Sequence, residues 1–142
     1  MSQHTPGTIP DIVQTLVLNA PVSKVWEAVA TAEGIAAWLM PNDFQPVAGQ
    51  AFTIFSPYGD SPCVVKELDP PNRLVFSWGK DWVVTFALKD LGGQTEFTLI
   101  HSGWSEGTVT EVGESHTVVR ERMNQGWASS VLPKLREYVE KK

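Results

Sequence analysis

Two hydrophobic periods divide this chain. Val22, Val25, Trp26 and Val29 fall three to four residues apart, which places them on one face of a helix. Pro21 before them suits the first turn, where a missing N–H costs nothing. Gly34 interrupts the pattern, and Ile35, Trp38 and Leu39 predict a second short helix that stops before Pro41. Ahead of both, Ile12 to Asn19 is apolar and β-branched and predicts a strand, closed by Ala20-Pro21.

Past Pro41 the period drops to two. Phe52, Ile54 and Ser56 alternate with Thr53 and Phe55, and Pro57-Tyr58-Gly59-Asp60 predicts a turn. Pro62 to Leu68 predicts the next strand, closed by Asp69-Pro70-Pro71-Asn72. Leu74, Phe76 and Trp78 share a face, and Gly79-Lys80-Asp81 predicts a hairpin turn. Trp82, Val84, Phe86 and Leu88 follow on one face of a strand. After Leu91-Gly92-Gly93, Phe97, Leu99 and His101 alternate with Glu96, Thr98, Ile100 and Ser102. Connections this short join antiparallel neighbours. The three strands therefore present one strongly aromatic face that something must cover.

The C-terminal stretch supplies the cover. Val119, Met123, Trp127, Val131 and Leu135 recur every four residues, and Ala128, Leu132, Tyr138 and Val139 widen the stripe. Arg120, Glu121, Lys134, Arg136, Glu137 and Glu140 lie mostly outside it. The pattern predicts a helix from about Ser115 onward, with Glu114 and Ser115 favourable at its start. About 26 residues at 1.5 Å each span roughly 39 Å, enough to cross a sheet. Pro133 lies inside this helix, removes one backbone bond and predicts a kink. The expected fold class is α+β. A curved antiparallel sheet wraps around the long C-terminal helix, with two short helices near the N-terminus. Residues 12–142 form a single domain behind a flexible tail of residues 1–11. The mouth of the resulting chamber is expected near the short helices and a flexible, acidic loop from Gly103 to Gly113.

Composition narrows the function. The 142 residues are one ordinary domain, and 42% hydrophobic content supports a core. A net charge of -5 argues against nucleic acid, which needs clustered Lys and Arg. No apolar run approaches the roughly 18 residues of a membrane span, and the polar start has no secretory pattern, so a cytoplasmic location is expected. The single cysteine, Cys63, excludes an internal disulfide and a Cys-based zinc site. It reads as an inert packed thiol.

Candidate chemistry is sparse. His4, His101 and His116 share no metal-ligand spacing, and Asp60, Asp69 and Asp81 read as turn residues, so no metal is expected. Ser102 lacks a nucleophile-elbow context, Gly92-Gly93 makes a hairpin and no phosphate loop, and no cofactor is implied. Lys66 or Glu67 faces inward depending on strand register. His101, following Phe97 and Leu99 on the inner face, is the one credible polar group there, either as a satisfied structural histidine or as a ligand's hydrogen-bond partner. Trp26 reads as plain helix packing. Trp38, Trp78, Trp104 and Trp127 fit core or pocket equally. Gly126 leaves room beside Trp127, and Met123 is an adaptable wall. The expected lining of a ligand chamber is Trp38, Phe76, Trp78, Phe86, Leu99, His101, Met123 and Trp127, with no catalytic residue assigned.

These residues carry a resemblance. Leu18-Asn19-Ala20-Pro21 with Val25-Trp26 looks like the opening of the SRPBCC, or Bet v 1-like, superfamily. Pro70-Pro71 with Arg73-Leu74-Val75 and Trp78, then His101-Ser102-Gly103-Trp104, then Gly126-Trp127 with Leu132 and Leu135, is similar to the branch of activator of heat-shock protein 90 ATPase homologues. The resemblance runs from about Ile12 to Val139. It implies a helix-grip fold with an internal cavity. The expected function is binding of a small hydrophobic molecule: a lipid, a polyketide or an aromatic metabolite. The alternatives are a stress-related interaction module with a chaperone as partner, and a cyclase- or hydrolase-like enzyme using the chamber, for which only His101 is a credible acid or base. A second domain of the full co-chaperone has no counterpart in this sequence. The expected state is a monomer or weak homodimer.

Overall fold

A computed structural model describes residues 11–56, 59–79, 82–103 and 116–140. Strand β1 (Ile12–Leu18) leads into helices α1 (Val22–Val29) and α2 (Ala32–Trp38). Strands β2 (Ala51–Ser56), β3 (Gly59–Asp69), β4 (Arg73–Trp78), β5 (Trp82–Asp90) and β6 (Thr95–Ser102) follow. Helix α3 (His116–Gly126) passes through a π-helical segment (Trp127–Val131) into α4 (Leu132–Glu140). The six strands form one antiparallel sheet in the order β1-β6-β5-β4-β3-β2, which leaves β1 and β2 as edges. The α+β helix-grip architecture expected from the sequence is the one observed.

The period-two pattern produces the inner face. Leu74, Phe76, Trp78, Val84, Phe86, Leu88, Phe97, Leu99 and His101 are all buried, and Trp82 is half-buried. A register shift between Val65 and Glu67 marks a bulge in β3. Val65 stays buried while Lys66 and Glu67 are both exposed, and Glu67 pairs with Arg73 at 3.4 Å. Neither Lys66 nor Glu67 therefore enters the interior.

The two short helices cross closely. Thr31 links them: its Oγ1 donates to Glu27 O at 2.6 Å and accepts from Gly34 N at 3.0 Å, capping α2. A side chain at Gly34 would run into the Glu27 and Ala28 carbonyls. Backbone cannot yield as a flexible side chain can, so Gly34→Ala should cost about 1–3 kcal/mol. Urea unfolding measures this, and an unchanged midpoint would show that the helices separate freely.

The long helix lies lengthwise over β1. Arg120 Nη2 donates to Asp11 O at 3.1 Å. Gln14 Nε2 donates to Asn124 O and Oδ1 at 2.9 and 3.0 Å. Arg136 Nη2 donates to Val17 O at 3.2 Å, and Asn19 N donates to Glu140 Oε2 at 2.8 Å. Strand and helix thus advance together, tied at these four points among the described residues.

The helix departs from the expected spacing at one place. The segment Trp127–Val131 is π-helical, and Leu132 N donates back to Trp127 O. A π turn inserts about one extra residue. The buried residue after Trp127 is therefore Leu132, five positions on, followed by Leu135 and Val139. Val131 is only half-buried, and Tyr138, expected in the stripe, is exposed. The irregularity sits just before Pro133, which has no N–H to close an ordinary turn. Open space surrounds Gly126, where an added Cβ meets nothing. Gly126→Ala should accordingly raise stability by roughly 0.5–1 kcal/mol. A lower thermal midpoint would instead reveal that the glycine is needed there.

Candidate functional site

The expected lining residues fall into two groups that meet on the inner face. The first is an apolar cluster of rings in contact, mostly edge to face. Trp38 lies 5.5 Å from Phe86 and 6.4 Å from Phe97. Phe86 lies 5.7 Å from Phe76, which lies 5.4 Å from Phe52, which lies 5.1 Å from Phe44. Helix α2 carries Trp38 down onto the sheet, and its Nε1 donates to Ala28 O at 2.7 Å. That bond uses a carbonyl near the end of α1 and satisfies the indole in an apolar setting. These rings pack as a core does.

The second group is aromatic and polar. Trp78, at the end of β4, faces Trp82 at the start of β5 across the hairpin, with ring centroids 6.0 Å apart. His101 on β6 stands opposite Val84, which brings its ring to 5.0 Å from Trp82 and 5.8 Å from Trp78, stacked on the latter. Trp127 descends from the π segment, 6.5 Å from Trp78, and its Nε1 donates to His101 Nδ1 at 3.1 Å. The imidazole is thereby enclosed by three indoles.

This geometry sets the chemistry of His101. Accepting at Nδ1 requires that nitrogen to be unprotonated, so the neutral ring carries its proton on Nε2. Burial, and then the nearby positive charge of Arg120, push the His101 pKa down to about 3. The histidine is neutral across the physiological range. A neutral ring of this kind suits hydrogen bonding, whereas general acid–base work calls for a pKa near the operating pH.

Leu99 is fully buried between the groups, opposite Phe86. Met123 on α3 is half-buried and packs against the core. All eight expected residues therefore lie on the inside, Met123 less deeply than the rest. Trp82 was missed as a lining residue although its alternation with Val84 and Phe86 placed it on that face. Trp104, the loop from Gly103 onward and the expected chamber mouth there fall largely outside the described residues. Trp26 is half-buried against the core.

Elsewhere the chemistry is quiet. Cys63 is buried, its thiol pushed up to about 12 chiefly by burial, and its Sγ contacts Ser61 O at 3.5 Å. A thiol so seldom ionised is a poor nucleophile. Among the described residues no three His, Cys, Asp or Glu side chains gather as metal ligands, and no helix is long and apolar enough to cross a membrane.

A curved antiparallel sheet closed over a long C-terminal helix, with two short helices after the first strand, is the helix-grip fold of the SRPBCC superfamily. Residues 19–140 match the family described as Activator of Hsp90 ATPase homolog 1-like protein, and the chain belongs to it. Among solved structures it is similar to protein BH1534 from Bacillus halodurans, at 43% identity and a TM-score of 0.85 over 94% of this chain and 99% of that one. The Aha1 dimer from Colwellia psychrerythraea shares the fold at 21% identity and a TM-score of 0.76, over 94% and 98% of the two chains. DynU16, from the dynemicin biosynthetic locus, does so at 22% identity and a TM-score of 0.73, with 92% of this chain matching 47% of that one. Comparison with the curated proteins finds no match.

Proposed function

We propose that this protein binds a small, largely apolar molecule inside the grip of sheet and helix, and does so in the cytoplasm without catalysing a reaction. Lipids, polyketides and aromatic metabolites are the candidate ligands. The observation that carries this reading is the Trp127–His101 hydrogen bond set within an aromatic enclosure. A polar pair retained among apolar rings can orient a ligand that the rings hold by burial, at roughly 25 cal/mol per Å². Trp78, Leu99, His101, Met123 and Trp127 form the contacting wall, with Trp82 beside them. Trp38, Phe76 and Phe86 form the deeper one. The kinship of fold with a protein from a biosynthetic locus supports a small-molecule role. The neutral state of His101 weighs against a cyclase or hydrolase.

A titration of isotope-labelled protein with fatty acids, flavonoids and polyketide-like aromatics, read by NMR, tests this. Saturable shifts of the Trp78 and Trp127 indole signals together are expected. Trp78→Ala and Trp127→Ala, where folded, should weaken binding. Well-dispersed spectra that stay unmoved across the whole series would reject the ligand-binding reading.

A second reading has its own observation. Val13 and Val17 are exposed on edge strand β1, at 59% and 44%. The long helix ties the backbone in and beside this strand at Asp11, Val17 and Asn19, so it is these exposed side chains that offer a contact to a partner. Together with the family's description and a dimeric relative, this supports a protein-interaction module, with a chaperone or a second copy as partner. Recovery of no chaperone by the purified protein from native lysate, and a monomeric mass at high concentration, would count against it.

A further inference from the structure

The four ties between β1 and the long helix are unevenly placed, and the wide interval between them is a groove. Its volume is about 350 Å³. It is bounded at one end by Gln14, whose amide is tied to Asn124, and at the other by Arg136. Leu16, Ala128, Leu132 and Pro133 form its apolar surface. None of the residues of the aromatic enclosure lines it, so it is a separate feature of the fold.

Two local causes open this gap. The π turn from Trp127 to Val131 widens the helix where it passes Leu16, and Ala128 offers only a methyl group there. Proline at position 133 then contributes no N–H, so a carbonyl one turn back loses its helical donor. The result is a small apolar trough whose walls are fixed by the flanking ties.

The charge at its end is fixed as well. Arg136 Nη2 donates to Val17 O at 3.2 Å, which holds the guanidinium plane against the strand. Its contact with Glu140 is long, 4.0 Å from Nε to Oε2, and that same oxygen accepts from Asn19 N at 2.8 Å. The Glu140 carboxylate is thus held by backbone, and the five N–H donors of Arg136 are only partly used. Gln14 and Thr15 add neutral polar groups to the lining, and the Arg136 guanidinium is the charged group among the residues that line the trough.

We propose that this groove binds a small amphipathic carboxylate, its hydrocarbon body along Leu16, Ala128, Leu132 and Pro133 and its carboxylate on Arg136. A volume near the lower end of ligand pockets suits a short chain or a single ring rather than a long lipid. Burying that body supplies the affinity, and the ion pair selects the headgroup. The site stands independently of the ligand assigned to the interior.

Octanoate, 1-octanol and octylammonium, titrated into labelled protein below their aggregation limits, separate the possibilities. Octanoate should give saturable shifts at the amides of Thr15, Leu16, Ala128 and Leu132, with 1-octanol weaker and octylammonium weakest. Arg136→Gln should reduce octanoate affinity roughly two- to fivefold, the scale of one half-exposed ion pair, and leave 1-octanol unchanged. Ala128→Leu, which fills the trough from an exposed helix position, should abolish both. Octanoate shifts confined to the Trp78 and Trp127 indoles would place it in the interior and overturn the groove while sustaining the proposed function. No shift at either place, or equal affinity in Arg136→Gln, would overturn the groove as a carboxylate site.

Discussion

Phe86→Ala is expected to cost about 3–5 kcal/mol, a large part of the roughly 5–15 kcal/mol that holds a domain folded. Phe86 is fully buried and central: Trp38, Phe76 and Phe97 all lie within 5.7 Å of it, ring centre to ring centre. It sits on β5 with β4 and β6 on either side, opposite Leu74 and Leu99. Strands held by backbone ladders on both sides cannot close around a missing ring, so most of the cavity persists. Trp38 is equally constrained by its bond to Ala28 O. Equilibrium urea denaturation would measure the loss. A cost under about 1 kcal/mol would mean that this cluster is loosely packed and that its rings have room to move for a ligand. Phe86→Leu, which keeps most of the volume, should retain much of the stability and separate packing from binding.

That contrast bears on what the sequence could and could not reveal. Alternation at Leu74, Phe76, Trp78 and Trp82, Val84, Phe86 was enough to predict the aromatic face, because period two is a local property of a strand. The division of that face into a tightly packed apolar cluster and a polar one around His101 was not legible. It depends on which residue stands opposite which, as Trp78 does Trp82 and Val84 does His101. Register across strands is written in turn geometry and long-range packing, not in any one segment. The same reason hid the fate of Lys66 and Glu67, since a bulge cannot be read from alternation alone.

The helix shows a different limit. Spacing of four at Val119, Met123 and Trp127 correctly indicated the buried stripe, but its continuation through Val131 did not survive the π turn. Pro133 was a visible warning of irregularity. A kink and an inserted residue are two answers to the same missing N–H, and spacing along the chain does not choose between them. The groove beside Arg136 lies next to that π turn, so sequence spacing held no sign of it.

Acid should destabilise the protein through His101. In the unfolded chain its imidazole takes up a proton near its ordinary value of about 6.5. In the folded protein the pKa lies at about 3, held down first by burial and then by Arg120. Above pH 6.5 both states are neutral at this residue and it imposes no penalty. As the pH falls from there toward 3, the unfolded state binds a proton that the folded state refuses, and stability drops by about 1.4 kcal/mol per pH unit from this group alone. Protonation in place would also set an imidazolium N–H against the indole N–H of Trp127, so the hydrogen bond has no acceptor left. His101→Asn keeps an acceptor oxygen near the Nδ1 position and removes the titration. Its stability should therefore fall less steeply between pH 6 and pH 4 than that of the parent, even though the smaller side chain lowers stability at pH 7. Parallel slopes in the two proteins, or a His101 ring signal that titrates near pH 6.5 in folded protein, would show that water reaches the imidazole and that the enclosure is open. In that case a ligand would meet a hydrated histidine, and the affinity expected from apolar burial around it would be correspondingly weaker.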